Sequence, residues 1–297
     1  MRILLAGGSG FLGRALQSAL PRHGHSVGVL TRTPRPGATD QIAWTPDGTA
    51  GAWAQGLEGV DALVNLAGEG IADRRWSNVR KRALRSSRML STRSIVAAIG
   101  RLSRPPAVLV NASAVGYYGG RGDELITEAS PPGTGFLSDL CTEWEREAEQ
   151  ASALTRVALV RTGLVLHPEG GALGSLLPPF RLGVGGRLGS GDQFMPWIHR
   201  ADGMALLEWL ITTEAARGAF NGTAPAPVTS AQFSRALGRV LHRPAILPVP
   251  GFALRMLIGE FADSLLTGQR AIPARAEAMG FRFAFREVEE ALRDLLA

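Results

Sequence analysis

Short apolar runs alternate along the chain with longer stretches of helical spacing, the sequence form of repeated β-α-β units. Arg2–Ala6 is a short apolar run ending in glycines, and Phe11–Leu20 after it has helical spacing. Further strands are expected at Val27–Leu30, Ala62–Leu66, Ala107–Asn111 and Arg156–Arg161. Helices are expected at Lys81–Ile99, closed by Gly100 and Pro105-Pro106, and at Ser138–Ala151. The strand runs are apolar at consecutive positions, so both faces of the sheet must be covered. After Val165 the texture changes. Residues 167–200 are rich in glycine and proline, with few helical stretches, and read as loops on the substrate side. Helical spacing returns at Asp202–Thr213, Thr229–Leu241 and Arg286–Leu296. The expected fold is α/β: a Rossmann-type doubly wound parallel sheet over residues 1–166, completed by later segments. Residues 167–297 would form substrate-side loops and a small C-terminal helical lobe. Its last part, Phe252–Ala297, can dock on the substrate side but is too poor in apolar residues for a core of its own.

Composition narrows the class. The 297 residues can bury a full core, and 45% apolar with 20% charged residues is ordinary for a globular protein. No run of about 18 apolar residues exists, which argues against a membrane span. The N-terminal apolar run stops at Gly7, too short for a secretory signal, and reads as a buried strand. Cys141 is the only cysteine, so neither an intrachain disulfide nor a cysteine metal cluster can form. No spacing among His23, His25, His167, His199 and the carboxylates suggests a metal site. A cytoplasmic protein is expected. The net charge of +6 rests on arginine, since Lys81 is the only lysine, and eight positive residues fall between Arg74 and Arg93. That stretch could face nucleic acid or serve as an ordinary solvated face. A dinucleotide's phosphates are a cheaper use for part of the charge, so the expected partner is a small molecule. Nucleic acid and membrane are not expected partners, and a homo-oligomer stays open.

The candidate chemistry begins at Gly7-Gly8-Ser9-Gly10-Phe11-Leu12-Gly13, a G-x-x-G-x-x-G run directly after a strand and opening a helix. In such a turn Gly7 allows the tight bend, Gly10 lets a pyrophosphate approach, and Gly13 lets helix and strand pack closely. Helix N–H groups and dipole then face the phosphates, with Phe11 and Leu12 in the first turn. The second strand ends in Leu30-Thr31-Arg32-Thr33, and the nearest acid is Asp40. An NAD site wants an acid roughly 20 residues past the turn for the ribose 2′-hydroxyl. Here Thr31 and Arg32 stand there instead, and a guanidinium suits a 2′-phosphate. The expected cofactor is NADP(H), with Arg32 as a plain surface cation the alternative.

Other motifs follow: Val64-Asn65-Leu66-Ala67-Gly68, Arg75-Trp76 with Lys81 and Ser87-Arg88, and Ser113-Ala114-Val115-Gly116-Tyr117-Tyr118-Gly119. Further on stand Pro196-Trp197-Ile198-His199, Gly268-Gln269-Arg270 and Pro273-Ala274-Arg275. On these residues the chain resembles the extended short-chain dehydrogenase/reductase superfamily. Within it, the chain is similar to atypical epimerase-family proteins that carry their own C-terminal domain. The resemblance implies that Leu66 and Ala67 touch the adenosine side of the cofactor. Arg88 would be a further contact or a helix-surface cation.

It also implies Ser, Tyr and Lys as catalytic groups, the last two spaced Y-x-x-x-K, and this chain lacks that pair. The only tyrosines are Tyr117 and Tyr118, with Arg121 and Gly122 four residues on. Pattern alignment puts the usual Tyr at Phe136 and the usual Lys at Leu140. Ser113 keeps the serine position or caps a turn. Tyr117, Tyr118 and His199 are the substitute candidates, each with a structural reading beside it, and Arg121 could supply the missing lysine's field. Cys141 reads as a small helix hydrophobe. Two functions stay open: an NADP(H)-dependent oxidoreductase or epimerase-like enzyme, and a non-catalytic NADPH-binding sensor.

Overall fold

The computed structural model describes residues 1–297. Seven parallel strands form the central sheet: β1 (Arg2–Ala6), β2 (Ser26–Thr31), β3 (Gln41–Ala43), β4 (Ala62–Asn65), β5 (Val108–Ala114), β6 (Arg156–Thr162) and β7 (Gly218–Gly222). Their spatial order is β7-β6-β5-β4-β1-β2-β3. Chain progression therefore reverses between β1 and β4, and ligands of such sheets bind at that switch point, outside the strands' carboxyl ends.

Strand side chains alternate between two cores, as the pleat requires. Ile3 and Leu5 of β1, with Val108 and Val110 of β5, pack under α1 (Phe11–Ala19) and a later helix, Arg200–Thr212. Leu4, Ala6, Leu63 and Leu109 face the other way, toward α2 (Asn78–Ile99) and α3 (Phe136–Glu149). Ser77 caps α2, its hydroxyl accepting from the Arg80 amide. No helix is long and apolar enough to cross a membrane.

The 167–200 segment departs from expectation. It contains α4 (Gly171–Arg181), with Pro178 and Pro179 inside it. Leu173, Leu177 and Phe180 recur at helical spacing and are buried. This burial overrides the weak helix propensity of glycine and proline. Helices α5 (Arg200–Thr212), α6 (Ser230–Leu241), α7 (Gly251–Ile258), α8 (Phe261–Thr267), α9 (Ala274–Ala278) and α10 (Val288–Leu296) complete the chain. α4, α6 and α10 share a third core around Trp197 and Phe233. The C-terminal segment is thus spread out. α10 joins that third core, while Ala276, Phe281 and Phe283 fill the core beneath the main sheet.

The basic stretch between Arg74 and Arg93 is largely engaged within the protein. Arg80 pairs with Glu69, Lys81 with Glu260, Arg85 with Glu143 and Arg93 with Glu147. Arg75 donates to the Met256 carbonyl at 3.1 Å.

Candidate functional site

A cleft of about 450 Å³ opens at the switch point. The ends of β1, β4, β5 and β6 form its floor, α3 one wall, and α8 with Gly268 and Gln269 its cover. The sequence expectations Gly7, Gly10, Phe11, Leu12, Gly13, Leu66, Arg88 and Ser113 all line it.

The three glycines of the turn differ in what demands them. Gly7 has φ +83°, and a Cβ there would stand 2.6 Å from the Leu66 carbonyl carbon. A Cβ at Gly13 would stand 2.3 Å from the Gly7 carbonyl oxygen. Both are required by the fold itself. Gly10 has φ −73° and ψ 172°, ordinary extended values, and its added Cβ would meet only Gly7 O at 3.3 Å. Its side faces the cleft, where close approach by a ligand is what a side chain would block. No side chain caps α1, so its first amides are free for an anion.

A buried polar network holds the opposite lip. Asn65 Nδ2 donates to Asn111 Oδ1 at 2.7 Å and to Thr92 Oγ1 at 3.0 Å, while its Oδ1 accepts from the Ala67 amide. Trp144 Nε1 donates to the same Thr92 oxygen at 2.9 Å. This fixes Leu66 and Ala67 against the glycine turn. Thr31 and Arg32 lie at the carboxyl end of β2, just past the Ala6–Leu30 pair that joins β2 to β1. Arg32 is exposed and has no carboxylate partner.

Ser113 ends β5 in the cleft, and its hydroxyl donates to Glu145 Oε1 at 2.6 Å. Sequence reasoning missed the group behind it. Arg161 of β6 holds Glu145 with two bonds of 2.8 Å, Nε to Oε1 and Nη2 to Oε2. Both side chains are less than one-tenth exposed. Arg161 Nη1 also donates to the Tyr118 hydroxyl at 2.9 Å, and that hydroxyl donates to Asn221 Oδ1 at 2.7 Å.

Neither tyrosine is among the residues lining the cleft. Tyr118 is fully buried, and burial pushes its hydroxyl up to about 12 despite Arg161 beside it. Tyr117 lies outside the cleft lining, its ring 3.4 Å from the Arg161 guanidinium. Arg161 supplies the cationic field, not Arg121, which pairs with Glu124 and donates to the Tyr118 carbonyl.

Of the two positions aligned with the absent Tyr-Lys pair, Leu140 lines the cleft and Phe136 does not. On α3 the cleft is lined by Leu137, Leu140, Cys141 and Trp144, while Phe136 packs against Trp76. Leu137 carries no proton, and burial, with Glu145 adding to it, pushes the Cys141 thiol up to about 11. Neither serves as an acid or nucleophile near neutral pH.

His199 is corrected too. It lines a neighbouring surface depression with His167, Arg200 and Asp294, across Phe11 from the cleft, and is not among the cleft residues. Its Nδ1 accepts from the Ala201 amide at 3.0 Å, capping α5, and its ring stacks on Phe285 at 3.9 Å. Burial holds its pKa below the ordinary histidine value, against the nearby Asp294. Below the unfolded-state pKa of about 6.5 the unfolded chain then binds the extra proton, so acid lowers stability. Melting temperature should fall between about pH 7 and pH 5.5, and less so in His199→Asn, whose amide can keep the cap. Equal falls in both proteins would rule the ring out as the source.

The profile of the NAD dependent epimerase/dehydratase family matches residues 3–221. That of a domain of unknown function, DUF1731, matches residues 249–295. An epimerase family protein of Mycobacterium bovis is 44% identical over 295 residues, covering 98% of this chain and 96% of its own. The crystal structure of the human epimerase family protein SDR39U1, solved with NADPH, superposes with a TM-score of 0.93 at 38% identity, covering 99% of each chain. A nucleoside-diphosphate sugar epimerase from Corynebacterium glutamicum superposes at 0.80 with 31% identity, covering all of this chain and 58% of that one. With the family profile spanning all but the first and last residues of the switch-point sheet, and relatives alike from end to end, this chain belongs to the NAD dependent epimerase/dehydratase family.

Proposed function

We propose that the chain binds NADP(H) in this cleft and works as an oxidoreductase-like protein on a small molecule, of the carbonyl or nucleotide-sugar kind. The observation that carries the reading is Gly10, the turn glycine whose own backbone does not require it. The residues fit the group. Gly7, Gly10 and Gly13 with the first amides of α1 would hold the pyrophosphate, and Leu66 and Ala67 would flank the adenosine. Thr31 and Arg32 would meet the 2′-phosphate. The human relative solved with NADPH supports the choice of cofactor. When bound, the nicotinamide supplies hydride chemistry, and the protein orients it.

The chain's own contribution to proton handling centres on Ser113. Its proton is committed to Glu145, so it offers lone pairs to the cleft and accepts a hydrogen bond from a ligand hydroxyl. A second reading, an NADPH-responsive protein without turnover, is favoured by the cleft face of α3, where Leu137, Leu140, Cys141 and Trp144 include neither a tyrosine nor a lysine. A panel of carbonyl and sugar-nucleotide substrates followed at the nicotinamide absorbance separates the two. Turnover lost in Ser113→Ala supports the enzyme; tight binding without turnover supports the second reading.

Arg32→Ala tests cofactor choice. A charge-assisted contact to a 2′-phosphate contributes about 1.5–3 kcal/mol, so NADPH affinity should drop roughly 10- to 100-fold while NADH barely changes. Equal losses for both dinucleotides would remove Arg32 from the site.

A further inference from the structure

Among the residues lining the cleft only Glu69 and Arg88 carry charge. The Glu69 carboxylate is taken by Arg80. Arg88, half-buried on α2, has no carboxylate partner and rests over the Trp144 ring at 5.1 Å. Its Nη1 donates to the Leu84 carbonyl at 3.0 Å and its Nη2 to the Glu69 carbonyl at 3.1 Å. A guanidinium has five N–H donors, so three remain. Gly68 lets the adjoining loop lie against it, since a Cβ there would stand 3.1 Å from Arg88 Cγ and Cζ. Desolvation pulls the pKa of Arg88 down, as befits a cation lacking a counter-charge. The surrounding wall is apolar, formed by Ile71, Leu137, Leu140, Trp144, Phe261 and Leu265.

Resting on the cofactor reading above, we infer that Arg88 anchors the anionic group of a second, otherwise apolar molecule, and that this substrate is a hydrophobic carboxylate. The dinucleotide's own charges have partners in the α1 terminus and Arg32, which leaves Arg88 for a second ligand. One planar guanidinium matches one carboxylate, with parallel bonds to its two oxygens. A nucleoside diphosphate would bring two or more negative charges to a single free cation. The rest would be desolvated without a partner, at a cost the apolar wall cannot offset. Ser113, as an acceptor, then meets a hydroxyl elsewhere on the same molecule.

The test is calorimetric titration of octanoate and 4-phenylbutyrate into wild type, Arg88→Met and Arg88→Lys, each with and without saturating NADPH. Expected are saturable binding to wild type, about tenfold or greater weakening in Arg88→Met, and partial retention in Arg88→Lys. NADPH affinity should stay within about twofold in both variants. Thermal melts check that both are folded, and Arg88→Lys keeps the charge where loss of packing on Trp144 unfolds the methionine variant. Tenfold weaker NADPH binding in Arg88→Met would give Arg88 to the cofactor and overturn the inference. So would UDP-glucose binding in place of both acids, or neither acid binding wild type. Acid binding to the NADPH-free protein, lost in Arg88→Met, would uphold Arg88 even where NADPH itself fails to bind.

Discussion

Arg161→Leu is expected to lower the unfolding free energy by about 3–5 kcal/mol, and the melting temperature by roughly 5–8 °C. Arg161 sits inside β6 with its side chain 5% exposed, between a carboxylate and two aromatic rings. Removing it leaves the Glu145 carboxylate buried with only the Ser113 hydroxyl for company. The Tyr118 hydroxyl loses a donor at the same time. An unpaired buried charge is the costly species, whereas an apolar pair of similar volume can be tolerated. The double variant Arg161→Leu, Glu145→Leu should therefore recover part of the loss. A single-variant cost below about 1 kcal/mol would mean that the pair is not insulated from water.

Gly10→Val should weaken NADPH binding at least about 100-fold, equivalent to about 2.7 kcal/mol, while the melting temperature moves by no more than about 2 °C. Valine accepts the extended backbone of residue 10, and the Gly10 amide can still donate to Gly7 O at 3.1 Å. Its two methyls then fill the space over the α1 terminus where the pyrophosphate must come close. Gly13→Ala is the contrasting control. Its Cβ would overlap the Gly7 carbonyl, so it should lose stability as well as affinity. Undiminished NADPH binding in a folded Gly10→Val protein would place the dinucleotide elsewhere.

Much of the scaffold was legible because its strands are continuous apolar runs and its glycine turn lies between a strand and a helix. The expected Lys81–Ile99 helix falls within Asn78–Ile99, and Ala107–Asn111 within one residue of the start of β5. Three-residue β3 was too short to leave a pattern. α4 was hidden by its glycines and prolines, although Leu173, Leu177 and Phe180 kept the helical period. The cofactor half of the cleft is local in sequence, and so it could be read. The other half is not. Arg161 looked like the end of an apolar strand, and its partner Glu145 like one of several acids on an amphipathic helix. Only the packing of α3 beside β5 and β6 joins them to Ser113 and Tyr118. The same packing decides that Leu137 and Leu140 line the cleft while Phe136 packs against Trp76.

The most direct measurement is an equilibrium fluorescence titration of the purified wild-type chain with NADPH and, separately, with NADH. One saturable site is expected, with NADPH bound about tenfold or more tightly than NADH, because the end of β2 presents Arg32 and no acid. Absent binding, or equal affinity for the two dinucleotides, would contradict the assignment of the switch-point cleft as an NADP(H) site.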